Sequence, residues 1–358
     1  MDLQLDLFAA LASEPDEPSK PAPAPRRTAP PAATAPRTST TTSAPAPRAK
    51  PAGRERISDE QVHRTAAALG EAVADAWNRA HGGPDIAVPI GLIAALCLVR
   101  QRDTNGPDLK AQILAQKPRE LIEMYQQIWA GHWQARPDLI DRARILHEWL
   151  NEPDAIDDHR AYCVKVVTEA ALKAGILDLT GHADPIDRSR TDALSHVIML
   201  LRSNGARQGL GEFHTPPSVT DMIAEVMLAE LSAETSMDSK GPAAGQHIHD
   251  PAGGSGGMLR AAAQSLRWRG LDPADFVWSM VDVDAIAAAC GAVNAIVWGL
   301  GPNVVVACDN SLANPRAVED ARAHARRVIE HRNQVMGMAR MTAAIRQTQA
   351  LLESAVAA

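Results

Sequence analysis

The chain has few cysteines and no close pair among them. Cys97, Cys163, Cys290 and Cys308 are widely spaced with no CxxC, which excludes the usual zinc and disulfide frameworks and fits thiols kept reduced in a cytosol. No apolar run reaches membrane-spanning length, and the amino terminus is acidic where a signal peptide would be basic. The expectation is a soluble, cytoplasmic protein with no membrane partner. Positive charge is not in excess either: 36 Lys and Arg against 43 Asp and Glu leave a net charge of −7. That excludes general affinity for nucleic acid over the whole surface, so any such binding must come from a local patch or a partner. Beyond Trp298 there is no Phe, Tyr or Trp at all.

Four regions can be read along the 358 residues. Residues 1–55 form a Pro/Ala-rich tail whose stretch 14–54 has no apolar periodicity to repay the entropy of ordering, and it is read as a disordered, partly polyproline tether. Residues 56–207 read as an all-helical domain. Its first helix opens on "SDEQ", Ser58 to Gln61, as a capping box, and ends near Gly83. Further helices are expected at Ile90–Arg102, Asp108–Ala130, Pro137–Asn151, Asp157–Ala174 and Asp184–Ser203. Over 208–315 the period changes: "QHIHD", "FVWSMVD" and "NVVVAC" are short apolar runs separated by two Ala-rich helical stretches. This alternation predicts parallel βαβ units, with ligands at the carboxyl ends of the strands. The region 316–358 is expected to be one long amphipathic helix, from Arg316 to about Val356, for packing or oligomerisation.

The segment "HDPAGGSGGML", His249 to Leu259, lies between the first such strand and a helix. A phosphate-binding P-loop is excluded because Gly256 and Gly257 are followed by Met258, not by Lys and Ser or Thr. The dinucleotide fingerprint is incomplete because its third glycine would fall at Leu259. The remaining form, Asp-Pro-Ala-x-Gly-Ser-Gly-Gly at Asp250 to Gly257, resembles motif I of S-adenosylmethionine-dependent adenine-N6 DNA methyltransferases, and more closely the modification subunits of type I restriction-modification systems. Around it, in the family's order, stand "GEFHTP" (Gly211 to Pro216), "MVDVD" (Met280 to Asp284) and "ACDNSLANP" (Ala307 to Pro315). The resemblance spans about Asp192 to Pro315. It departs from the family at Gly253, where a Cys is frequent, and at His214, where an aromatic stands.

The resemblance implies an α/β fold: a partial Rossmann-like methyltransferase domain preceded by the helical domain and followed by the long helix. It also implies S-adenosylmethionine as cofactor and DNA as partner. Its cofactor-binding residues would be Phe213, Thr215, Pro216, Asp250, Pro251, Gly254, Ser255, Gly256, Gly257, Asp282, Asp309 and Asn310. Glycine allows the backbone to approach a ligand closely, and carboxylates accept hydrogen bonds from a ribose or attract positive groups. Asp284 reads instead as a helix N-cap. His247 and His249, with no third ligand, do not make a metal site.

Sequence features also limit this reading. The family handles a flipped adenine with an Asn/Asp-Pro-Pro-Phe/Tyr segment, and none occurs here. "LANPRA", Leu312 to Ala317, is better explained as a helix start, with Asn314 as N-cap and Pro315 at the first helical position. No catalytic residue is therefore assigned, and a partner subunit is expected to supply specificity or the catalytic half. At the amino terminus "QLDLF" (Gln4, Leu5, Asp6, Leu7, Phe8) resembles the peptide by which bacterial proteins dock on the replication sliding clamp; the alternative is a short amphipathic helix from Asp2 to Leu11. Two functions remain open: an adenine-specific DNA methyltransferase-like protein, incomplete without a partner, or a non-enzymatic, clamp-tethered DNA-maintenance or regulatory module.

Overall fold

The computed structural model describes residues 58–101, 106–152, 156–202, 215, 217–233 and 242–357, with backbone alone at 229–233 and 351–357. The tail, the QLDLF peptide, Phe213 and Pro216 lie outside the described residues. The helical region runs α1 (Asp59–Arg79), α2 (Ala87–Leu98), α3 (Leu109–Ala115), α4 (Pro118–Ala135), α5 (Pro137–Arg142), α6 (Asp158–Lys173), α7 (Ile176–Thr180), α8 (Pro185–Arg188) and α9 (Ala193–Leu201). After α10 (Pro217–Ala233) follow β1 (His247–Asp250), α11 (Gly257–Trp268), β2 (Val277–Asp282), α12 (Ala285–Val297), β3 (Val304–Cys308) and α13 (Ala317–Ala357).

All twelve residues of α2, from Ala87 to Leu98, are buried, as expected of a helix that is apolar on every side. Gly91 permits its closest contact: a Cβ there would stand 1.9 Å from the carbonyl oxygen of Leu146. Around α2 a single cluster of buried apolar side chains extends from Val62 in α1 to Val306 in β3, so the helices and the sheet share a core.

The three strands form a parallel sheet in the order β1-β2-β3, with Asp250 beside Met280 and Asp282 beside Cys308. Side chains alternate between its faces. Trp278, Met280, Val304 and Val306 join the main core, while Val281 and Ala307 pack on Ala317, Val318 and Ala321 of α13. The carboxyl end of α12 is held by arginines. Arg188 Nε donates to Val297 O at 2.7 Å, Arg267 donates to Trp298 O at 2.5 Å and Arg100 to Ile296 O at 3.4 Å. Cations suit this end of a helix, where carbonyls lack intrahelical partners and the dipole is negative.

Three predicted helices are divided. The proposed Asp108–Ala130 helix breaks at Lys117, which Pro118 forces into an extended conformation (ψ 161°). Asp184–Ser203 ends its first turn at Arg188 and restarts where Asp192 caps α9. Pro137–Asn151 becomes α5 and two 3-10 turns, because the rings of His147 and Trp149 bond the carbonyls of Ile140 and Leu146. The capping box at Ser58 is half formed: Ser58 Oγ accepts from Gln61 N at 3.2 Å, while the Gln61 side chain turns to Thr65. Asn314 Oδ1 bonds Arg316 N in a turn that precedes α13. Among the described residues no helix is long and apolar enough to cross a membrane.

Burial lowers the pKa of His132 to about 4, with Arg100 adding to the effect and a bond to the Leu98 backbone opposing it. His147, stacked on Trp129 with ring centroids 4.5 Å apart, is lowered in the same direction, chiefly by burial. Both are neutral in the folded state. Between about pH 6.5, the ordinary histidine value, and pH 4 the unfolded chain binds more protons, so acidification favours unfolding. The melting temperature should fall as pH drops through this window, and His132→Gln should flatten that dependence in thermal scans at pH 7, 6, 5 and 4.5.

Candidate functional site

The glycine loop leaves β1 at Asp250 and enters α11 at Gly257. Asp250 Oδ1 accepts from Ala252 N at 3.1 Å, and Gly256 N donates back to Gly253 O at 2.7 Å, closing the turn. Gly254 and Gly256 have φ of 55° and 94°, in the left-handed region open to glycine. Gly253 is constrained differently: a Cβ there would meet the Met280 side chain at 2.9 Å, and one at Gly291 would meet it at 2.6 Å. The Met280 thioether thus lies in a slot between two glycines. This accounts for glycine at 253, where the resembled family often has a larger residue.

A polar cluster fixes the loop from below. Asp192 is buried, and its Oδ1 accepts from Ser195 N (3.1 Å) and from Asn294 Nδ2 (3.0 Å). Its Oδ2 accepts from Ser255 Oγ at 2.5 Å, and Asn294 Nδ2 also donates to Ser255 O at 2.9 Å. One carboxylate therefore joins the start of α9, the glycine loop and the middle of α12. A second buried charge, Arg260 in the first turns of α11, reaches Asp221 of α10 at 2.6 Å and Ser189 O at 3.1 Å.

Above this base is an open cleft of about 300 Å³, at the small end of the range for ligand pockets. Its lining includes Asp192, His196 and Met199 of α9, Thr215, Thr220 of α10, Asp250, Gly253, Gly254, Ser255, Gly257 and Arg260. Burial raises the pKa of Asp250, against the Ala252 N–H and His249, which lower it. The cleft offers backbone at the glycines and carboxylates at two sides, which suits a small molecule carrying positive charge and hydroxyl or amino donors.

Of the residues expected here, the cleft brings together Thr215, Asp250, Gly254, Ser255 and Gly257. Pro251, Gly256, Asp282, Asp309 and Asn310 stand outside its lining, at or near the carboxyl ends of the strands. Asp282 supports the loop: its Oδ2 accepts from Gly254 N at 2.7 Å and its Oδ1 from Asp284 N at 2.9 Å. Asp309 bonds its neighbour Asn310 N and the Asn314 amide, and Asn310 Oδ1 caps Leu312 N. Asp284 is the N-cap of α12, accepting from Ala287 N at 2.6 Å, and also pairs with Arg202 at 2.5 Å. His247 and His249 share the hydroxyl of Ser279, each at 2.7 Å.

Sequence reasoning missed Asp192, Asn294 and Arg260. A buried Asn inside an otherwise Ala- and Val-rich helix was the one available signal, because such a group needs a polar partner. Replacing Asp192 by Ala leaves Ser255 and Asn294 without their shared acceptor and should cost about 1–3 kcal/mol or more in denaturant unfolding. Gly256→Ala should cost about 1–2 kcal/mol from its backbone conformation alone, whether or not a ligand is present.

In comparisons with known proteins, the family described as N-6 DNA Methylase matches residues 191–329. No curated protein matches the chain. Among solved structures, a chain of the DrdV–DNA complex, determined by cryo-electron microscopy, is similar at 14% identity and a TM-score of 0.39, over 77% of this chain and 28% of that one. The type I restriction-modification system methyltransferase subunit from Streptococcus thermophilus is similar at 13% identity and a TM-score of 0.33, over 69% of this chain and 58% of that one. The chain thus spans less than two thirds of either. The stretch 191–329, which holds the glycine loop, all three strands and both helices between them, belongs to the N-6 DNA methylase family, and the chain is N6-adenine DNA methyltransferase-like.

Proposed function

We propose that the cleft over the glycine loop holds S-adenosylmethionine and that the chain is the cofactor-binding part of an adenine-N6 DNA methyltransferase of the type I modification-subunit kind. The parallel sheet is read as the first three strands of a Rossmann-like domain. The observation that carries this reading is the cleft itself, which joins Thr215, Asp250 and the glycines at the carboxyl end of β1, within the matched family stretch. The groups present fit this cofactor, which carries a sulfonium and an amino group but no phosphate: two carboxylates face the cleft and no lysine does.

In this reading Asp250 and Asp192 attract the cationic groups, and the Gly254 to Gly257 backbone lies against the ligand. Thr215, with Phe213 and Pro216, borders its methionine end. Asp282 serves the ribose while still bracing Gly254, and Asp309 and Asn310 stand toward the adenine. Bound there, the cofactor would supply an electrophilic methyl group. The amino group of an adenine in DNA must be presented by another polypeptide, because no Asn-Pro-Pro-Phe/Tyr segment occurs in this sequence.

A thermal-shift comparison tests the cofactor. S-adenosylmethionine should raise the melting temperature while NAD and ATP leave it unchanged, and Gly254→Val should abolish the effect. Labelled S-adenosylmethionine incubated with the purified chain and adenine-containing DNA should give no methyl transfer; clear transfer by the chain alone would refute the need for a partner. A second reading, a non-enzymatic module tethered to the sliding clamp, is favoured by the QLDLF peptide at the start of the sequence. It requires clamp binding that is lost in Leu7→Ala plus Phe8→Ala.

A further inference from the structure

We infer that the distal half of α13 is a self-association surface, where two copies of this chain pair through antiparallel helices. The helix is 41 residues long, about 60 Å at 1.5 Å per residue. Only its first half is attached: Ala317, Val318 and Ala321 pack on the sheet, His324 reaches Asp141 at 2.6 Å, and Arg332 bonds the carbonyl of Gln134. From Gly337 to Ala350 every side chain is exposed. Helices in water owe most of their stability to packing of an apolar face, so this extension needs a partner.

The exposed stretch has such a face. Met338, Met341 and Ile345 are 62%, 67% and 53% exposed, spaced three and four apart. The sequence continues the same spacing through Thr348, Leu352 and Ala355, giving the 3-4 repeat of a coiled-coil seam. The order of sizes along this seam points to the occupant. Two copies in parallel register would set Thr348 on Thr348 and Ala355 on Ala355, burying hydroxyls together and leaving a void. Run antiparallel, the same six positions pair Met338 with Ala355, Met341 with Leu352 and Ile345 with Thr348. Each layer then sets a larger side chain against a smaller or branched one, as good core packing requires.

Charge permits the same pairing. The positions flanking the seam are Thr342, Ala344, Gln349 and Leu351, all uncharged, while Arg340, Arg346 and Glu353 fall on the outer side. A second copy therefore meets no like charge across the interface.

Sedimentation equilibrium of the full chain at micromolar concentration tests the proposal. The wild type is expected to have the mass of a dimer, and Met341→Glu plus Ile345→Glu should weaken association at least tenfold. Arg340→Glu, outside the seam, should leave it unchanged. Native fluorescence of the buried tryptophans confirms that each variant is folded. Orientation is read from a mixture of Ile345→Cys and Thr348→Cys chains, which should cross-link to each other under mild oxidation. A monomeric wild type, a dimer indifferent to the double substitution, or cross-links between like positions only would each overturn the inference.

Discussion

The carboxylate of Asp192 is the point on which the glycine loop depends. It is buried, it caps α9, and it accepts from Ser255 in the loop and Asn294 in α12. Because charge-assisted bonds in a low-dielectric interior are strong and costly to leave unmade, these three contacts act together. The loop cannot change conformation without moving a helix of the shared core on either side. Arg188, Arg267 and Arg100 extend the same constraint to the far end of α12, where they hold its last carbonyls. The cleft is therefore open to ligand above and rigid beneath, which is the arrangement a preorganised binding site needs.

Much of this was legible in the sequence because it is local. The period-two runs at His247, Val277 and Val304 and the Ala-rich stretches between them specify βαβ units before any tertiary contact is known. Positive φ at Gly254 and Gly256 is what a glycine loop between strand and helix is for. Asp284 was readable as a cap because capping takes place within three residues.

What escaped reading depends on contacts distant in sequence or on competition between local preferences. Asp192 meets Ser255 across 63 positions and Asn294 across 102, and nothing in single-residue preference reports such a meeting. Asp282 looked like a ligand group because it ends a strand, yet its oxygens brace two backbone amides. The divided helices failed for a nearer reason: at Lys117 the effect of Pro118 on the preceding residue outweighs a helical pattern on both sides.

The slot that receives Met280 also governs the order in which this loop can change. Gly253 and Gly291 leave no room for a Cβ while the thioether lies between them, so the three positions form one packing unit that cannot vary independently. A larger residue at 253 becomes tolerable only after the side chain at 280 has shrunk, and a smaller residue at 280 leaves a void until 253 or 291 grows. Descent through such a site follows a narrow path in which 280 must change first, and related chains should carry combinations at 253, 280 and 291 that conserve total volume, with the individual residues free to differ.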